Sequence, residues 1–187
     1  KTYIALQDAC SFAETLGSEY KSILFVSTKP QGQKIVTEAA EECECPYVDS
    51  KWLPGLLTNF ATVKARLKEL KKLEEEQATG QLEQKYLKKE ISTIKKGMIK
   101  IKEALGGIER MNKLPNALFI IDIKRDHIAL LEARKLNIPV IAITDSNTNP
   151  KEVDFPIPAN DDALKSIDYI VNKITQSYIK GKLSIKK

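Results

Sequence analysis

The single histidine of the chain, His127, lies in the stretch DIKRDHI, just past an apolar run of strand length. The carboxyl end of a strand is where open α/β folds carry reacting groups, and Asp122 or Asp126 could orient the imidazole for general acid–base work. Such chemistry also needs a nucleophile and an oxyanion donor placed against the base. There is no G-x-S-x-G elbow, and no second histidine to complete a metal site. Asp145, Asp161 and Asp162 could hold a cation, but Asp161 and Asp162 are equally explained as acids at a helix start. The turn STKPQGQK (27–34) follows a strand and opens a helix, as a phosphate loop does, yet it lacks the spacing G-x-x-x-x-G-K-S/T. G-x-G-x-x-G is missing after all three main strands, so the turn reads as an ordinary connection with Gly32 for local geometry. Cys43-Glu44-Cys45 is too tight for one half of a zinc ribbon, and no second pair follows. With Cys10 the cysteines number three, an odd count that argues for a reducing compartment and against a disulfide scaffold. The expectation is no catalytic residue, no metal ligand and no cofactor.

The other chemistry on offer is phosphate binding by lysine. The net charge of +5 is a weak hint, and its distribution says more. Residues 62–105 carry twelve basic and seven acidic side chains, and residues 173–187 carry five lysines and no acid. Each segment is therefore +5, which leaves −5 on the remainder. Lysines can simply solvate a helix. Two basic extensions on a mildly acidic body, however, favour a phosphate-backbone partner. Only Tyr86 and Tyr178 fall in the basic regions, so docking on a folded duplex surface is expected to dominate over base stacking.

The elements that position these groups follow from periodicity. SILFVS (22–27), NALFIID (116–122) and IPVIAIT (138–144) are continuous apolar runs, with shorter strands in PYVDSKW (46–52) and DFPIP (154–158). They alternate with helical patterns at 6–20, 34–43, 127–137 and 160–179, the last with Asn160 as candidate N-cap. Strands buried on both faces and alternating with helices predict a parallel sheet in an α/β layer fold. Between 62 and 105 the rhythm changes. Leu87, Ile91, Ile94, Met98, Ile101 and Leu105 keep a coiled-coil spacing, and Val63, Leu67, Leu70 and Leu73 face them across a turn at QATGQL (77–82). The prediction is an antiparallel helical hairpin (62–105), stopped at LGG (105–107), inserted into a globular domain made of 1–61 and 106–187. At 187 residues, 42% of them apolar and 29% charged, the chain suits one folded domain with an appendage rather than disorder. No apolar run is long enough to cross a bilayer. The chain opens on KTYIALQDAC without methionine or a signal-like segment, and reads as trimmed.

The stretch KWLPGLLTNF (51–60) stands at the seam between globule and hairpin and holds the only tryptophan. Together with LGGIERMNKLPNALFIIDI, HIALLEARKLNIPVIAITDSNTNP and DFPIPANDDALKSI, it resembles the small-subunit ribosomal protein S-two family of bacteria and organelles. The likeness runs in order through essentially the whole chain. It implies a Rossmann-like three-layer α/β/α domain with an inserted antiparallel coiled-coil hairpin. It also implies a structural, non-enzymatic role in the small ribosomal subunit, in the cytoplasm or an organelle. The implied partners are small-subunit rRNA and neighbouring ribosomal proteins, with support for protein S one, without membrane contact or homo-oligomerisation. The family pattern R-W-L-G-G is altered here, with Lys51 for arginine and Pro54 for the first glycine, and the family's N-terminal segment has no counterpart before Lys1. The expected RNA contacts are Lys51, Thr58, Asn59, Lys64, Arg66, Lys68, Lys71, Lys72, Lys113, Arg125, Lys180 and Lys182, with Lys186 and Lys187 in the tail as a further surface. Trp52, Leu57 and Phe60 are expected to fix the hairpin's angle by packing at its root, and Thr58 or Asn59 to cap its first helix. Two other readings compete. One is a phosphosugar- or nucleotide-binding α/β enzyme, suggested by IPVIAITDSN; the other is a coiled-coil adaptor that binds protein through the hairpin.

Overall fold

The structure is a computed structural model that describes residues 2–184. Five strands form one all-parallel sheet: β1 (Ile23–Val26), β2 (Tyr47–Val48), β3 (Ala117–Ile120), β4 (Val140–Thr144) and β5 (Phe155–Pro158), in the order β2-β1-β3-β4-β5. Every residue of β1, β3 and β4 is buried, which explains their unbroken apolar runs. The pleat sends Ile23, Phe25, Phe119 and Ile141 into a core beneath α1 (Thr2–Ser18), α2 (Pro30–Cys43) and α7 (Leu164–Ser184). It sends Leu24, Val26, Leu118, Ile120 and Val140 into a second core on the other side. That second core is closed by α6 (His127–Lys135), by Trp52, Leu56 and Leu57, and by the base of the inserted helices. The result is the expected Rossmann-like three-layer arrangement. The β5 edge carries Pro156 and Pro158, which remove ladder donors and blunt pairing with another strand.

On the first face α1 and α7 cross closely enough that side chains are excluded at the contact. A Cβ on Gly17 would strike the backbone of Tyr178, and one on Gly181 the backbone of Glu14. The three cysteines are free, with Cys43 and Cys45 buried in this first core.

The insertion holds three helices rather than the expected two: α3 (Phe60–Ala78), the short α4 (Gln81–Lys85) and α5 (Lys88–Leu105). The chain turns first at Gly80, in the left-handed region at φ 70°, and again at Tyr86 and Leu87, which are extended. Leu87, expected in the apolar seam, is therefore a helix-boundary residue and 74% exposed. Leu82 of α4 is fully buried between the longer helices and supplies the apolar contact at that end. Lys102 of α5 pairs with Glu74 of α3 (2.8 Å), Lys71 of α3 with Glu109 just past α5 (3.2 Å), and Lys95 of α5 with Glu83 of α4 (4.0 Å), so the returning chain runs antiparallel to the outgoing one. The 3-10 turn Gly106–Ile108 ends α5 without any left-handed cap. Gly107 is needed for another reason: a Cβ there would strike the carbonyl oxygen and ring of Tyr47.

The closing helix also starts later than expected, at Leu164 instead of near Asn160. The Asn160 Oδ1 accepts from the amides of Asp162 (2.7 Å) and Ala163 (3.1 Å), so it caps a turn ahead of the helix. Asp161 and Asp162 thus lie outside the first helical turn, and the helix dipole does not account for them.

Val63, Leu67 and Leu105 belong to the same core as the sheet residues, so the base of the hairpin is part of the globule. Cutting at Thr62 and Leu105 and bridging with glycine would remove all three. Each buried leucine lost costs roughly 2–5 kcal/mol. Cooperative thermal unfolding should therefore disappear in that deletion and persist when only 74–98 is replaced. Equal melting of both variants would show that the base contributes nothing to the core.

Candidate nucleic-acid interface and its clasp

The stretch at the seam is organised by one carboxylate that the sequence reading did not single out. Glu132 lies on the inner face of α6, between the buried Ala129 and Ala133, and is itself only 7% exposed. Its Oε1 accepts from the Trp52 indole Nε1 (3.1 Å) and the Gly55 amide (2.7 Å). Its Oε2 accepts from the amides of Leu57 (2.9 Å) and Thr58 (3.0 Å) and from the Thr58 hydroxyl (3.1 Å). Burial alone would push this carboxyl up, but the bonds from Thr58, Trp52, Gly55 and Leu57 outweigh it and hold the group below its ordinary value. The backbone of 55–58 can turn its amides inward because Gly55 takes a positive φ of 87°. Pro54 is the one residue of that turn with no N–H to offer, and it stands outside the set of donors.

This arrangement settles where the seam residues point. Trp52 and Leu57 are buried in the second core, and Phe60 packs against it. Thr58 gives both its amide and its hydroxyl to Glu132. Asn59 is the N-cap residue of α3, but its side chain makes no cap bond; its Oδ1 accepts from the Thr62 hydroxyl at 2.8 Å. Lys51 is exposed.

Lys64, Lys68 and Lys72, four residues apart, and Lys71, three beyond Lys68, share one stripe of α3 that ends at Glu75. The Lys64 ammonium donates to the Asn112 carbonyl at 3.1 Å, and Lys71 pairs with Glu109. These two contacts lay the stripe against the segment 109–113, where Arg110 and Lys113 are exposed. Five of the expected contacts are thereby joined into one basic face, to which the structure adds Arg110. Arg66 lies off this stripe, on the far side of α3. On α5 the exposed Lys89, Lys96 and Lys100, at intervals of seven and four, form a second stripe. Among the described residues Lys68, Lys72, Lys89, Lys96 and Lys100 have no ion-pair partner.

The remaining expected contacts are elsewhere and engaged. Lys180 pairs with Glu14 at 3.0 Å, and Lys182 reaches the Cys43 carbonyl (3.0 Å) and Glu44 (3.1 Å). Lys186 and Lys187 lie outside the described residues. The Arg125 Nε donates to the Thr28 hydroxyl at 3.1 Å, at the strand ends.

Those strand ends are where this fold class would hold a nucleotide, between β1 and β3, whose following helices leave on opposite faces. Here the crevice is bridged by the chain itself. The Thr28 amide and hydroxyl donate to Asp126 at 3.1 and 2.7 Å. The buried Lys29 ammonium meets Asp161 (2.8 Å), Asp162 (2.6 Å) and Asp122 (3.4 Å). Burial would lower Lys29, but the bonds to Asp161 and Asp162 and the charge of Asp122 hold it well above its ordinary value. Carboxylate oxygens of Asp145, Asp161 and Asp162 lie within 4.8 Å of one another, and the Lys29 ammonium already compensates two of them. Burial raises the Asp126 carboxyl against the pull of the Thr28 bonds. Both aspartates that precede His127 are thus committed: Asp126 to Thr28, and Asp122 to the amides of Lys124 (3.0 Å) and Arg125 (2.9 Å). Among the described residues neither orients the imidazole, which is exposed.

The clasp sets a stability test. Glu132→Ala leaves the Trp52 indole and three backbone amides without their acceptor, an expected cost of about 4 kcal/mol. That is a fall of roughly 10 °C in Tm for a chain of this size. Because the folded carboxyl sits below its ordinary value of 4.5, its contribution is complete above that pH and is lost as pH falls through the folded value. Glu132→Gln should therefore cost most at neutral pH, and the gap to wild type should close in acid. Thermal unfolding from pH 7 down to 3 reads both, and a gap that is independent of pH would contradict the charge's role.

A family model for Ribosomal protein S2 matches residues 1–181 of the 187. The match takes in the sheet, the clasp, the whole insertion and the closing helix almost to its end, and this chain belongs to the Ribosomal protein S2 family of small-subunit ribosomal proteins.

Proposed function

We propose that the protein is a non-catalytic structural constituent of the small ribosomal subunit that grips rRNA with the hairpin. The basic stripe Lys64, Lys68, Lys71 and Lys72, continued by Arg110 and Lys113, is the RNA face, and Lys89, Lys96 and Lys100 form a second line of phosphate contacts. The observation that carries this reading is the joining of the α3 stripe to the 109–113 segment through Lys64 and Lys71. Cations fixed along one face at helical intervals can follow a phosphate backbone, whereas scattered surface lysines cannot. A duplex surface suits the stripe, which has no aromatic residue within it.

The body plays a different part. Its strand-end crevice is spanned by Thr28–Asp126 and Lys29–Asp161, so a nucleotide or sugar phosphate would have to displace a lysine from three carboxylates. This weighs against the enzyme reading and for a body that presents the hairpin and meets neighbouring ribosomal proteins. Support for protein S one belongs to that same assembly role. No described helix is long and apolar enough to cross a membrane.

Binding of the chain to small-subunit rRNA should weaken linearly in log–log terms as salt rises. Replacing Lys64, Lys68 and Lys72 with glutamine should flatten that slope by about one unit per lost contact. Lys180→Gln, on α7 and away from the α3 stripe, should leave the slope unchanged. A slope insensitive to the α3 substitutions would move the RNA face off the hairpin.

A further inference from the structure

A cavity of about 680 Å³ opens beside the base of the hairpin, where the end of α2, the start of β2 and the 106–113 segment meet. This volume is in the range of small-ligand sites, roughly 300–1,000 Å³. Tyr47, whose ring carbons Cδ2 and Cε2 approach Gly107 too closely for a Cβ there, supplies an aromatic wall. Arg110 and Lys113 supply exposed cations in the same lining. Three carboxylates also line it, and two of them are engaged: Glu44 by Lys182 at 3.1 Å, and Glu109 by Lys71 at 3.2 Å. Glu41 is exposed and has no ion-pair partner among the described residues.

We infer that this cavity receives one unpaired guanine, turned out of the rRNA that lies along the α3 stripe. The inference rests on the reading of that stripe as the RNA face. Arg110 and Lys113 belong both to the basic face and to the cavity lining, so a backbone tracked by the stripe passes the opening. The carboxylates repel a phosphate from the interior but accept N–H groups. Guanine presents two of these side by side, N1–H and N2–H, which a single carboxylate can accept together. An unstacked base against an aromatic side chain, read on its Watson–Crick edge, is a common mode of single-stranded RNA recognition. Glu41 is the acceptor, Tyr47 the wall, and Arg110 and Lys113 hold the flanking phosphates.

The test uses the full chain and small-subunit rRNA, with two probes on the same complex. Kethoxal modifies the N1 and N2 positions of unpaired guanines, and hydroxyl radicals report the backbone. The variants are Glu41→Gln, which keeps size but offers a single acceptor, and Asn112→Trp, which fills the cavity from an exposed position while leaving the carbonyl that holds Lys64. Wild type should protect one unpaired guanine from kethoxal. Half-protection should need on the order of tenfold more protein with Glu41→Gln, and should not be reached with Asn112→Trp. Backbone protection should be the same for wild type and Glu41→Gln. If the backbone stays protected but no guanine is, or the variants protect it as well as wild type does, the cavity does not read a base and only the RNA-face reading stands. If wild type protects no backbone at all, both readings fall together.

Discussion

Five hydrogen-bond donors converge on the buried carboxylate of Glu132, and most of the hairpin's placement follows from that convergence. A buried charge is tolerable only when its lone pairs are filled, and here they are filled almost entirely by one segment, 52–58. That segment cannot shift along α6 or turn over without stranding both the charge and its own amides. Since α3 begins two residues later, at Phe60, its exit direction is set by the same clasp. Val63, Leu67 and Leu105 then add apolar burial in the core that α6 covers. The Ser50 hydroxyl, bonded to the Glu103 carbonyl at 2.6 Å, ties the returning helix to the same place.

Lys29 mirrors this arrangement with the charges reversed. One ammonium gathers carboxylates from the ends of β3 and from the turn before α7, much as one carboxylate gathers donors at the seam. Each cluster joins segments far apart in sequence, and the Lys29 cluster occupies the strand-end crevice that a related fold could give to a ligand. The strand-end crevice is thus spent on holding the body together. The hairpin and the 109–113 segment carry a run of exposed cations with no ion-pair partner among the described residues, Lys68, Lys72, Arg110 and Lys113 among them. This division explains how a net charge of only +5 can be laid out as a strongly basic face on a body that is itself acidic.

Much of the fold was legible because its signals are local. The runs at 22–27, 116–122 and 138–144 read as strands covered on both faces, and the change of period over 62–105 marked the insertion. The errors have equally specific causes. Leu87 fits a heptad by spacing, but the chain breaks there because the reversal takes two turns, at Gly80 and at Tyr86–Leu87. Asp161 and Asp162 look like the acids of a helix start, and only the tertiary position of Lys29 reveals their use. Glu132 was the more instructive omission. It reads as one more charge in HIALLEARKLN, yet its register falls on the buried stripe of α6, with Ala129 and Ala133 beside it. An acid on an apolar stripe, in a chain whose one tryptophan needs an acceptor, was the available signal. The candidate RNA face was half legible: the lysine count located the hairpin, but which lysines stand together depended on the Asn112 and Glu109 contacts.

The most direct measurement is amide hydrogen exchange on the isolated protein at neutral pH, followed residue by residue. If Glu132 organises the seam, the amides of Gly55, Leu57 and Thr58 and the indole N–H of Trp52 should exchange as slowly as those of β1 and β3, although none of the four belongs to a helix or strand. The first half of α3 should share that protection. Exchange of these four groups at the rate of an open loop, with the sheet still protected, would contradict the account. It would mean that the hairpin is held by its apolar base alone.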